Sequence, residues 1–290
     1  MSPAPDEPSF EDAEEAFERG DVETALAICE GYLGEDESKA PVEALYLAAE
    51  CLLELQEVTE ATHMIDLALN EHPDDAVLVH TKAICCFEQA KLEDARKGFE
   101  RAANLDDQLG EPLFYLGILT ERDGDFGAAD RLFEHGVRLD PENLSLPVDW
   151  PADKVRQIFD EVVEEMPDPF GMWLAGLRVD VADLPDDAAL AAAEGPISPL
   201  VHCLFDGPAP SPPAEKTDPD EWLTTHPSRV RLFRRNLGKS AHDEYELHRE
   251  ILEALLWESM EFLGLDEGHL AKLGILDDED DEALLPGKPH

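Results

Sequence analysis

Lysine and arginine are scarce in this chain: 22 of them stand against 68 aspartates and glutamates, for a net charge of -46. A polypeptide so short of cations has little with which to displace counterions from phosphate backbones, which argues against a nucleic-acid binder. The same negative field repels anionic membrane surfaces. A protein or peptide partner with basic segments fits better, although such acidity also arises as a proteome-wide adaptation to high salt. Long apolar runs are missing too. No window approaches the roughly 18 apolar residues needed to cross a bilayer, and the opening MSPAPDEPSFEDAEEAFERG has neither a basic n-region nor an apolar h-region, so the expected location is the cytoplasm. Cysteine is sparse: Cys29, Cys51, Cys85, Cys86 and Cys203 are odd in number and form no C-x-x-C pair. They read as reduced, mostly buried thiols rather than a disulfide framework or a zinc site. No phosphate-binding glycine loop and no G-x-S-x-G occurs. What remains is a chain of 290 residues, 43% hydrophobic, which suits about two domains.

The first half is periodic. Ala61, Ala95 and Ala129 recur at an interval of 34, each followed four residues later by Ile65, Phe99 or Phe133 and seven later by Ala68, Ala102 or Gly136. Twelve residues before each anchor stands another small residue, Ala49, Ala83 or Gly117. An earlier, more divergent unit carries Ala13, Gly20 and Ala25. Small side chains at fixed places let two helices cross closely, while the larger residue fills the gap to the next hairpin. In these positions residues 10–145 resemble the tetratricopeptide repeat family, with about four hairpins. The resemblance implies an α-helical solenoid that holds an extended or helical peptide. The carboxylate clamp used by some of its members needs several Lys and Arg at set positions; this array has few basic residues and no clamp at matching places. The bland alternative is an array that packs permanently against the rest of its own chain.

After Pro141 the register stops, and LSLPVDWPADK marks a boundary before an amphipathic segment, KVRQIFDEVVEEMP. Leu177, Val179 and Val181 alternate with polar residues as in a half-buried strand; PLVHCLF and PSRVRLFRRNL supply further strand candidates. DGPAPSPPAEKTDPD reads as an irregular loop, and a long helix is expected from about Asp243 to Leu263. The order of elements describes a small α+β domain over 152–276, followed by an acidic tail, 277–290.

This layout, with the strand Val179-Asp180-Val181, the run Arg229 to Arg234 and the helix segment Trp257-Glu258-Ser259-Met260-Glu261-Phe262-Leu263-Gly264-Leu265-Asp266-Glu267, resembles the minimal metallopeptidase family with a zincin fold. The resemblance implies a helix on which two histidines at i and i+4 hold Zn²⁺ and the adjacent glutamate serves as general base. Here Trp257 and Glu261 stand at the histidine positions and Glu267 at that of a third ligand, leaving Glu258 as a relict general base. The indole N–H is a donor only and cannot ligate a metal. The motif is degenerate, and the expectation is a scaffold or adaptor protein with an inactive peptidase-like domain and no cofactor. The alternative is an active metal-dependent peptidase, fed by the array, in which Glu261, Glu267 and His269 or His248 hold zinc or another cation.

Overall fold

The small anchors and their larger followers form the interior of eight antiparallel helices. In the computed structural model, which describes residues 8–34, 36–190, 197–207, 222–224 and 226–275, these pair as α1 (Phe10–Glu18) with α2 (Val22–Leu33), α3 (Val42–Glu54) with α4 (Val58–Glu71), α5 (Ala76–Glu88) with α6 (Leu92–Leu105), and α7 (Glu111–Arg122) with α8 (Phe126–Leu139). Each hairpin also packs on the next, and α3 touches both α1 and α5, so the first helices of the hairpins stand side by side. The need for small residues is steric. A Cβ on Gly117 would lie 2.7 Å from the Phe133 ring, and one on Gly98 would lie 2.6 Å from that of Ala83. Ser9 and Asp12 form a capping box on α1, and Asp21, Asp75 and Asp125 cap α2, α5 and α8. Each such cap is worth about 1 kcal/mol.

The turn inside each hairpin needs a left-handed residue. Gly20 (φ 79°) and Gly124 (φ 85°) supply it in the outer hairpins, while Gln56 (φ 63°) and Ala90 (φ 54°) hold the equivalent places in the inner two. A side chain in that conformation costs roughly 1–2 kcal/mol. The two inner turns are therefore strained where the outer ones are not.

A second compact unit runs from Ser145 to Leu190 and on from Pro199. Its elements are α9 (Ala152–Glu165), α10 (Phe170–Ala175), β1 (Val179–Ala182), α11 (Asp187–Leu190), β2 (Cys203–Asp206), β3 (Arg229–Phe233), α12 (Arg234–Ser240), α13 (Glu244–Leu263) and α14 (Glu267–Lys272). The sheet order is β1-β3-β2, with β1 parallel and β2 antiparallel to the central β3. The first strand begins at Val179, two residues later than the alternation suggested; Leu177 is buried before it, and the strand's four residues are all half-buried. Arg229 and Arg231 of β3 reach Asp180 and Asp206 on its two neighbours, so the sheet carries a ladder of opposite charges across its strands. The core between helices and sheet includes Val155, Phe159, Phe170, Val230, Leu232, Leu247 and Ile251.

The entering segment is fastened to this unit. Val148 N donates to Gly238 O at 2.7 Å, Trp150 Nε1 to Ala241 O at 3.0 Å, and Arg234 Nη1 to Trp150 O at 3.1 Å. A Cβ on Gly238 would fall 1.9 Å from Val148 O, so only glycine allows the approach. Four of the five thiols, those of Cys29, Cys51, Cys85 and Cys203, are buried and all five are unbridged. No described helix is long and apolar enough to cross a membrane. Most of the proline-rich loop and all of the acidic tail lie outside the described residues.

Candidate functional site

The long helix α13 is set by its ends. Asp243 caps it by accepting from Glu246 N, and Gly264, left-handed at φ 66°, ends it with its N–H on the last carbonyls. Along it, Trp257 and Glu261 are one turn apart and share a face. Trp257 is partly buried and packs against the core, and its Nε1 is enclosed without a hydrogen-bond partner. Glu261 is exposed.

Glu258 points at the sheet. Its Oε1 accepts from Phe205 N at 2.7 Å. The register of β2 explains why that amide needs it: Phe233 N donates to His202 O and Ser228 N to Asp206 O, so the even-numbered residues of β2 face β3 and the amides of the odd-numbered ones face the open edge. Glu258 thus closes the outward amide of an edge strand. Around it, Cys203 Sγ donates to Ala254 O at 3.3 Å, and the Phe205 ring meets Phe262 at 5.7 Å and Trp173 at 5.8 Å. Burial, followed by the charge of Glu258, raises the Cys203 thiol well above its ordinary value, so it stays a packed neutral group.

The two histidine candidates have partners of their own. His269 belongs to α14, where it forms a capping box with Asp266 and packs its ring on Trp222 at 4.5 Å. The His269 contact lowers the Asp266 carboxyl. His248 lies nine residues before Trp257 and pairs with Glu165 at 3.1 Å. Glu267 is the first residue of α14, and its side chain lies outside the description. Among the described residues no three His, Cys, Asp or Glu side chains converge as metal ligands would.

The array carries a second polar centre that the sequence reading did not single out. On α5, His80 is 96% buried by its 4% exposure, and its ring meets Phe99 at 5.4 Å and Tyr115 at 5.7 Å. Tyr115 stacks on Phe99 at 4.8 Å and meets Phe87 edge-on at 5.3 Å. His80 Nε2 lies 3.1 Å from Glu111 Oε2 of α7 in a close but poorly aligned contact, and Nδ1 has no partner. That contact holds the Glu111 carboxyl below its ordinary value. On α3, Glu50 accepts from Thr81 Oγ1 at 3.1 Å, yet burial pushes its carboxyl up to about 7. The Tyr46 and Tyr115 hydroxyls are raised first by burial and then by surrounding carboxylates, Glu50 and Glu111 among them in both cases. The signal was present in the repeat register: Tyr46, His80 and Phe114 each stand three residues before a small anchor, on the side-by-side first helices.

Residues 174–275 match the family described as zincin-like metallopeptidase. Residues 18–102 match the one described as anaphase-promoting complex, cyclosome, subunit 3, which is tetratricopeptide-like. No curated protein matches the chain. Among solved structures, a MamA fragment from Desulfovibrio magneticus RS-1 is 18% identical, over 47% of this chain and 76% of that one, with a TM-score of 0.40. A MamA double mutant described as RS-1 ArsTM is 18% identical over 46% and 73%, with a TM-score of 0.39. YrrB, described as a TPR protein with an unusual peptide-binding site, is 19% identical over 53% and 73%, with a TM-score of 0.37. The chain joins a tetratricopeptide-type helical array to a small α+β domain that resembles the zincin-like metallopeptidases.

Proposed function

We propose that this chain is a cytoplasmic adaptor: the array holds a partner polypeptide through a basic segment, and the metallopeptidase-like domain is a pseudoenzyme that needs no metal. The repeats themselves point to protein interaction. The observation that carries the inactive reading is the state of α13. Trp257 fills one ligand position with a side chain that has no lone pair to give, and the carboxylate of Glu258 is engaged with the amide of Phe205. A general base so engaged, without a metal to acidify water, faces bulk water of pKa near 15.7 against about 7 on zinc. Two of the remaining donors support the same reading: Glu261 is exposed, and Nδ1 of His269 is engaged in capping α14.

The experiment is elemental analysis of the purified, chelator-free chain, with a calorimetric zinc titration and a peptidase assay with zinc supplied. Near-zero metal, no saturable zinc binding and no cleavage are expected. One tightly held zinc per chain with chelator-sensitive cleavage would overturn the pseudoenzyme reading and make Glu261, Glu267 and His269 the next residues to mutate.

A further inference from the structure

The centre formed by α3, α5 and α7 is short of hydrogen-bond donors and of positive charge. Because Nε2 of His80 faces the Glu111 carboxylate, it is the nitrogen that carries the hydrogen in a neutral ring, which leaves Nδ1 as a lone-pair acceptor. That acceptor is buried and has no donor. Glu50, one hairpin away, has only the Thr81 hydroxyl to offset its burial, and Glu111 and Glu54 add to its cost by repulsion. Unlike the carboxylates of the second unit's sheet, which have arginines beside them, Glu50 is paired with no cation among the described residues. Within electrostatic reach of both Glu50 and Glu111 are the partly exposed rings of Tyr46 and Tyr115. A buried acceptor, the Glu50 carboxylate with no cation beside it and aromatic surface together define what would complete the site: an apolar stem ending in a positively charged donor group.

We propose that the face between α3, α5 and α7 is a subsite for one lysine or arginine side chain of the bound polypeptide. Its charged head lies against Glu50 and Glu111 and its stem runs along Tyr46 and Tyr115. This rests on the reading of the array as a peptide-binding scaffold, and it adds the residue that scaffold selects. Diffuse attraction by the net charge gives every basic peptide some affinity, so the subsite is distinguished by locality.

The test uses the full chain and a fluorescent peptide of alternating lysine and alanine, with its fully acetylated form as the neutral control, followed by fluorescence anisotropy at physiological salt. Wild-type protein is expected to bind the lysine peptide and not the acetylated one. Glu50→Gln, which removes a poorly solvated charge and so preserves the fold, is expected to weaken binding about tenfold. Glu60→Gln, the same charge change at an exposed position on α4, is expected to leave it within twofold. Equal weakening by both variants would overturn the subsite and leave the scaffold reading standing, because it would trace the affinity to net charge alone. Failure of wild type to bind the lysine peptide would overturn the basic-partner reading itself. Equal binding of the acetylated peptide would refute the demand for a cation.

Discussion

Removing the acceptor of Glu258 tests whether that side chain now holds the edge of the sheet. Its 2.7 Å contact with Phe205 N is a charge-assisted hydrogen bond in a partly buried place, and such bonds contribute about 1.5–3 kcal/mol. Glu258→Gln keeps a carbonyl oxygen of similar reach and loses the charge, which gives an expected loss of about 1 kcal/mol. Glu258→Ala leaves an edge amide with no acceptor, for an expected loss of about 2–3 kcal/mol. The four tryptophans, Trp150, Trp173, Trp222 and Trp257, all belong to the second unit, so tryptophan emission during urea unfolding reports on that unit even though the whole chain need not unfold in one step. With a urea slope of about 2 kcal/mol per molar, the alanine variant's midpoint falls by about 1 M and the glutamine variant's by about half that. A pair of variants whose midpoints match wild type would refute the assignment, and so would a glutamine variant as unstable as the alanine one.

The strained hairpin turns make an opposite prediction: Gln56→Gly and Ala90→Gly each stabilise the array by about 1 kcal/mol, once the strain relieved is set against the greater freedom of glycine in the unfolded chain, as read by a rise in the thermal midpoint of the helical signal. Gly238→Ala drives a methyl into Val148 O and is expected to cost about 3 kcal/mol or to unfold the second unit, seen as loss of native tryptophan emission. The buried carboxyls set a pH dependence. Glu50 and Glu253 both rise from an ordinary 4.5 to about 7, chiefly through burial. Between those values the folded chain holds more protons than the unfolded one, so stability falls as pH climbs through that window and the penalty is complete above it. Glu50→Gln and Glu253→Gln are therefore expected to flatten the curve and to stabilise the chain at about pH 8 by on the order of 1 kcal/mol each. Destabilised variants at that pH would refute the assignment.

The array was legible because its constraint is local and repeated. A small residue is required wherever two helices cross, and Ala61, Ala95 and Ala129 are all fully buried. The long helix was legible for the same kind of reason, since Asp243 and Gly264 mark its ends in the sequence. The pairing of β1 with β3, separated by about fifty residues, leaves no local mark, and neither does the contact of Glu258 with an amide 53 positions away. The His80 centre escaped notice for a different reason. Its members are individually ordinary, and only stacking of successive hairpins brings α3, α5 and α7 together, so their chemistry belongs to the assembly rather than to any one repeat.

The strap from Val148 to Trp150 has a practical consequence for anyone who would cut this protein into pieces. The family resemblance begins at residue 174, which invites a fragment starting there. Such a fragment would lack α9, and with it Val155, Ile158, Phe159, Val162 and Val163 of the core, and it would leave Gly238 and Ala241 without the partners the strap provides. The compact unit itself begins near Ser145, some thirty residues ahead of the family match.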